Sequence, residues 1–142
     1  FKDYYEDDII LGIVNGRLPL MHSAQCVRKN TTGCNRQEDR LVLKDRYDKE
    51  FPVVCYCRPW KMGKTKAAES CYNIIYNSVP LSLHTLVEKG MQGITAYRLD
   101  FTTENGDETV SVVRYFADLL SGTDRKPPYQ EYTTGHIKRG VE

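Results

Sequence analysis

The sequence predicts an α/β fold: units that fit the end of a (β/α) barrel, joined to an inserted β-hairpin that carries cysteines. Three observations predict it. Residues 80–122 read as helix, strand and helix with short joints, the pattern of parallel α/β units. Leu41–Arg46 and Phe51–Cys57 are apolar or β-branched runs joined by Tyr47–Glu50, the pattern of a hairpin. Cys26, Cys34, Cys57 and Cys71 lie within one half of the chain, with Cys55 beside Cys57.

Taken in order, Ile9–Val14 is a short buried strand, and Asn15-Gly16 after it is a turn signal. Arg17–His22 reads as a second extended segment, with Pro19 at an edge or a strand start. Cys26 to Arg40 is polar and basic, broken by a turn at Asn30-Thr31-Thr32-Gly33. The two hairpin strands follow. Arg58 to Ser70 is expected to be a loop or short helix rich in Lys and Ala, and Cys71–Ser78 a strand. Pro80 opens a helix to about Lys89, stopped by Gly90. Gly93–Thr102 is a strand with Tyr97, Leu99 and Phe101 on one face and Ala96, Arg98 and Asp100 on the other. Asn105-Gly106-Asp107 caps a helix from about Glu108 to Ser121, whose expected buried stripe is Val110, Val113, Phe116, Ala117 and Leu120. The whole is read as one domain, 1–142. It comprises a cysteine-bearing β-rich part (1–78), α/β units (79–122) and an irregular C-terminal segment (123–142).

The 142 residues suffice for one modest domain with its own core. The chain opens on Phe1 rather than Met, so it is expected to be a piece of a longer protein whose upstream part is its first partner. A net charge of +1 gives no global field toward nucleic acid or a membrane. No apolar run approaches a membrane span and no secretion-type leader is visible, so a cytoplasmic protein is expected. Gly63-Lys64-Thr65 is not a phosphate loop, because Arg58 stands where that motif needs its first glycine.

Five cysteines is an odd count, which disfavours a secreted disulfide scaffold. Seven residues separate Cys26 from Cys34, twenty-two separate Cys34 from Cys57 and thirteen separate Cys57 from Cys71. Structural zinc sites use closer pairs on rigid knuckles. Four thiolates converging from separate segments suit the larger iron–sulfur cube better. Spacing therefore leans toward a cluster, with zinc and inert buried thiols as alternatives.

The segments around these thiols carry a resemblance. Leu18–Cys26, Thr32-Gly33-Cys34, Leu43–Arg46, Phe51-Pro52-Val53 and Cys71–Leu83 resemble peptidase family U32, the collagenase-like proteases. Arg98–Thr102 and Thr134–Gly140 are similar to its later segments, so the likeness runs in order over nearly the whole chain. It implies the latter part of that family's barrel-like catalytic region. It also implies a peptidase of that family carrying a four-cysteine iron–sulfur site, with the activity of iron–sulfur relatives, the oxygen-independent hydroxylation of an RNA base or of ubiquinone, as the alternative. By the same resemblance Cys26, Cys34, Cys57 and Cys71 are the ligands of a 4Fe–4S cluster. Cys57 is chosen over Cys55 for its distance from Phe51-Pro52-Val53, which leaves Cys55 a bystander. The 58–70 segment departs from the family, because the last two cysteines usually sit close together.

Other candidates are weaker. Arg98, Asp100 and His136 are the candidate catalytic groups. Arg58, Trp60 and Lys61, with Lys138 and Arg139, are the candidate contacts for a peptide or RNA substrate, through charge and base stacking. No nucleophile elbow or zinc-protease His-Glu motif is present. A zinc-stabilised binding module without catalysis is the reading from another functional class. An isolated piece of a barrel is expected to be inactive alone, since it cannot enclose a substrate.

Overall fold

The computed structural model describes residues 9–60 and 68–135, and of 58–60 and 68–70 the backbone alone. The elements in order are β1 (Leu11–Gly16), β2 (Pro19–Ser23), α1 (Val27–Thr31), β3 (Asp39–Lys44), β4 (Glu50–Trp60) and β5 (Ala68–Tyr76). They are followed by β6 (Leu81–Ser82), α2 (His84–Lys89), β7 (Ala96–Leu99) and α3 (Gly106–Leu120). Two compact units result. Leu18–Ser78 forms one, and the segments on either side of it form the other. The arrangement is mixed α/β, as expected in class, and neither sheet is closed.

In the flanking unit β1 is central. It pairs antiparallel with β6 and parallel with β7. Val14 on β1 is fully buried and joins Leu81, Leu83, Val87, Val112, Tyr115 and Phe116 in the core. Helix α3 starts as the sequence requires. Asn105 Oδ1 accepts the Glu108 N–H at 2.9 Å, and the Glu108 carboxylate accepts the Asn105 N–H at 2.8 Å. This reciprocal box satisfies two of the donors that a helix N-terminus leaves without intrahelical partners.

Three expectations are corrected here. Asn15-Gly16 does not turn a hairpin; both residues lie in β1, and Asn15 pairs with Ser82 and Leu99. The helix after Pro80 begins only at His84, because Leu81 and Ser82 first pair with β1. Of the expected stripe on α3 only Phe116 is buried, beside Val112 and Tyr115, while Val110, Val113, Ala117 and Leu120 are exposed. Val112, Tyr115, Phe116 and Leu119 recur at the same helical spacing as the expected set. Two overlapping stripes were therefore available, and the one carrying two aromatic rings buries more apolar surface.

The central unit is a four-stranded antiparallel sheet in the order β2-β5-β4-β3. Its β3–β4 hairpin matches the expectation from sequence. Asp45 Oδ1 accepts the N–H groups of Tyr47 and Lys49 at 2.7 and 3.0 Å, which closes the turn, and Asp48 takes a left-handed φ of 58°. Asn and Asp tolerate that conformation better than other residues with a Cβ. The 58–70 segment is neither a simple loop nor a helix at its ends. It extends the β4–β5 ladder through Arg58↔Ser70, Pro59↔Glu69 and Trp60↔Ala68. Its middle, 61–67, lies outside the described residues.

Gly16 ends β1 at φ +148°, where a Cβ would stand 2.9 Å from Asp100 Cβ and 3.1 Å from Asp100 O. Gly16→Ala should therefore destabilise the chain by about 1–3 kcal/mol, read as a lower denaturation midpoint. An unchanged midpoint would mean that β1 and the segment after β7 do not approach as closely as described.

Candidate functional site

The central unit gathers its thiols on one face of the sheet. Alternation along β4 points Cys55 and Cys57 to the same side as Val53, and alternation along β5 does the same for Cys71 and Asn73. Val53, Cys55 and Asn73 are buried, at 1%, 3% and 0% exposure. Something must therefore cover this face, and it is the stretch from Ser23 to Asp39.

Two polar anchors hold that cover. Asn73 Nδ2 donates to Gln25 O at 2.6 Å and to Ser23 O at 3.4 Å. Arg28 of α1 forms an ion pair with Asp39 of β3. Asp39 in turn stands opposite Cys55 across the ladder. Between the anchors, Cys26 caps α1, and its Sγ accepts the Lys29 N–H at 3.4 Å. Cys34 Sγ accepts the Arg36 N–H at the same distance.

Cys26, Cys34, Cys55 and Cys57 line one cavity of about 10 Å³ together with Arg28, Asn35, Gln37 and Tyr56. That is about the space of a single water. Cys71 lies directly across from Cys57, with Sγ–Sγ 3.3 Å. The 58–70 segment thus does not separate the last two thiols, since it leaves and returns through paired strands. No disulfide joins any of the five.

The donor set fits an iron–sulfur centre in kind. Thiols from three segments converge, and two of them already accept backbone N–H bonds of the sort that tune cluster sulfurs. The cavity they line has room for about one water. Among the described residues, no three His, Cys, Asp or Glu side chains are grouped so as to hold a metal ion.

Cys55 was missed as a member of this group, although the two-residue step from Cys57 already put both on one strand face. Burial raises its thiol pKa above the usual value, and Cys26 and Asp39 push the same way. The Arg28 N–H and guanidinium oppose that only in part. Its environment therefore disfavours the thiolate, which is the reactive form. Asn73 also gave no signal in sequence. Its Oδ1 is buried and meets no hydrogen-bond partner among the described residues.

None of the other candidates has a described side chain in the central unit. Arg98 Nε and Asp100 Oδ1 are 2.5 Å apart and form an ion pair with each other in the flanking unit. Lys61, His136, Lys138 and Arg139 lie outside the described residues. For Arg58 and Trp60 only the backbone pairing in β4 is described.

The flanking unit instead holds a buried polar chain that the sequence did not reveal. Tyr129 Oη donates to Asn15 Oδ1 at 2.6 Å, and Ser82 Oγ lies 2.9 Å from His84 Nδ1. Burial raises the Tyr129 phenol to about 12, partly opposed by its hydrogen bond with Ser82. The His84 ring packs edge-on against Tyr115 and Tyr132. Burial holds its pKa down, with Glu88 pulling the other way. A Ser–His contact closed in by tyrosines is a satisfied core pair, not an exposed nucleophile with its base.

In the same unit Glu104 Oε2 accepts the N–H groups of Thr102 and Thr103 at 2.8 and 3.0 Å. Glu104 Oε1 meets Arg17 Nε at 3.3 Å. Burial alone would raise its pKa, but these backbone donors and Arg17 bring it below the usual value. No family model, curated protein or solved structure matches this chain.

Two measurements check the geometry. Native-state alkylation should modify exposed Cys34 first and Cys55 last; equal rates would show that the Ser23–Asp39 cover does not sit over the sheet. Glu104 has a depressed folded pKa, so its stabilisation is present above the ordinary carboxylate pKa and lost as pH falls through the lowered one. Glu104→Gln should therefore cost stability at neutral pH and flatten the acid limb of a pH–stability curve below about pH 4. An acid limb as steep as that of the parent chain would contradict the assignment.

Proposed function

We propose that this chain is the thiol-bearing piece of an enzyme of the U32 type, with Cys26, Cys34, Cys57 and Cys71 holding a 4Fe–4S cluster. One observation carries the reading. Cys57 lines the same cavity as Cys26 and Cys34 and has Cys71 3.3 Å away across the ladder. Thiols that are distant in sequence are neighbours in space. Bound there, such a cluster supplies electron transfer.

The chain's own residues then have defined work. The Lys29 and Arg36 N–H groups donate to the sulfurs of Cys26 and Cys34, which fixes where those sulfurs sit. Asn73 and the Arg28–Asp39 pair set the loop that carries Cys26 over the sheet. Buried Cys55 helps exclude water from the sulfurs.

The parallel β1–β7 pair, with α2 and α3 in the same unit, supports the further reading that the flanking unit belongs to a (β/α) barrel. Of the two activities the resemblance implies, hydroxylation of an RNA base has more support than peptide hydrolysis. The described residues converge on thiols, and their Ser–His pair is buried. A reducing compartment, the cytoplasm, suits thiols kept unbridged.

Anaerobic purification followed by reconstitution with iron and sulfide tests the cluster. About four iron and four sulfide per chain and a broad visible absorption are expected, with Cys71→Ala losing both. Stoichiometric zinc in a colourless protein, or a reconstituted chain without iron, would sink the reading. Cleavage of collagen peptides by parent and Cys71→Ala alike would return the peptidase alternative.

A further inference from the structure

Cys57 and Cys71 differ from the other thiols in one respect. They are directly opposed on neighbouring antiparallel strands, and Cys71 Sγ donates to Cys57 Sγ at 3.3 Å. Opposed residues of such strands hold their Cα atoms about 4.5–5.5 Å apart, inside the roughly 4.4–6.8 Å span of disulfides. The ladder is paired on both sides of the two cysteines, by Tyr56↔Tyr72 and Arg58↔Ser70. Stacking of Tyr56 on Tyr72 adds a second tie next to them. Cys26 and Cys34 instead sit on a helix cap and a loop, and Cys55 faces Asn73 rather than a thiol.

We propose that Cys57 and Cys71 form a redox-active dithiol that closes into an intramolecular disulfide when no metal engages it. This rests on register and sulfur distance and does not require the iron–sulfur reading. Where that reading also holds, the bond and metal ligation exclude each other, because both use the same sulfurs.

The oxidant is a low-molecular-weight disulfide of the glutathione class. One cysteine, as thiolate, attacks a sulfur of that disulfide, forms a mixed disulfide and expels one small thiolate. The second cysteine, also as thiolate, attacks the protein-bound sulfur, breaks the mixed disulfide and expels the other small thiolate. The two protons leave the cysteines and end on the two released thiols. The cysteine pair is oxidised by two electrons, and the small disulfide is reduced by two.

The test uses the full chain, stripped of metal under reductant, desalted and exposed to oxidised glutathione. It is then quenched in acid, alkylated and digested without reduction. Peptide mapping should find Cys57 linked to Cys71 as the dominant pair, with the loss of two alkylation sites per chain and Cys34 still alkylated. Cys57→Ser and Cys71→Ser should each lose the link and leave the surviving partner as a glutathione adduct. Alkylation of both cysteines in the oxidised parent chain, or a dominant link from either to Cys26, Cys34 or Cys55, would overturn it. Iron uptake without the disulfide leaves the iron–sulfur reading standing and removes this one; the disulfide without iron uptake does the reverse.

Discussion

Along β4 and β5, each residue from Val53 to Trp60 faces a fixed partner between Ile75 and Ala68. A slip of one step would turn every side chain on one strand to the other face. Cys55, Cys57 and Val53 would then meet solvent, and Val54 and Tyr56 would move under the cover. The register is held by several independent contacts. Val53 is buried on one face, Tyr56 stacks on Tyr72 on the other, and Asn73 reaches the Ser23–Gln25 backbone. The thiol site inherits its geometry from this ladder more than from the loop that carries Cys26 and Cys34.

Asn73 shows how such a register is specified. Its two donated bonds contribute on the order of 1 kcal/mol each, while its orphaned Oδ1 costs about 1–3 kcal/mol. The net contribution to stability is close to nothing. What the residue supplies is direction, since only one placement of the Ser23–Gln25 backbone satisfies the amide. An apolar residue would fill the space but would not choose among positions of the cover. Cys26 follows Gln25 immediately, so its location depends on that choice.

Part of this was legible in sequence for physical reasons. Leu41-Val42-Leu43 and Phe51–Cys57 are largely apolar runs around a polar turn, so local preference and tertiary pairing agree. Asn105-Gly106-Asp107 marked the start of α3 to within two residues, while the returning bond from Glu108 is seen only in the structure. The failures share a cause, which is that a distant partner decided the outcome. Asn15-Gly16 is a strong local turn signal, yet β6 and β7 recruit both residues into β1. Leu81 and Ser82 would continue a helix by periodicity, but β1 takes them as β6. On α3 two valine-bearing stripes compete, and the ring cluster of Tyr115, His84, Tyr129 and Tyr132 selects between them.

The candidate site divides along the same line. Strand alternation made Cys55 and Cys57 share a face, so the presence of Cys55 among the sulfurs was derivable from two letters of spacing. The nearness of Cys57 and Cys71 was not, because thirteen intervening residues look like a separation until both ends are seen to be paired. A hairpin cancels sequence distance: lengthening its arms moves the tip away and leaves the base unchanged. Arg58–Ser70 can therefore vary in length without moving either cysteine, provided the pairs at Tyr56↔Tyr72 and Arg58↔Ser70 hold. The constraint on this site is the parity of the ladder, and residue count between the thiols is a poor guide to it.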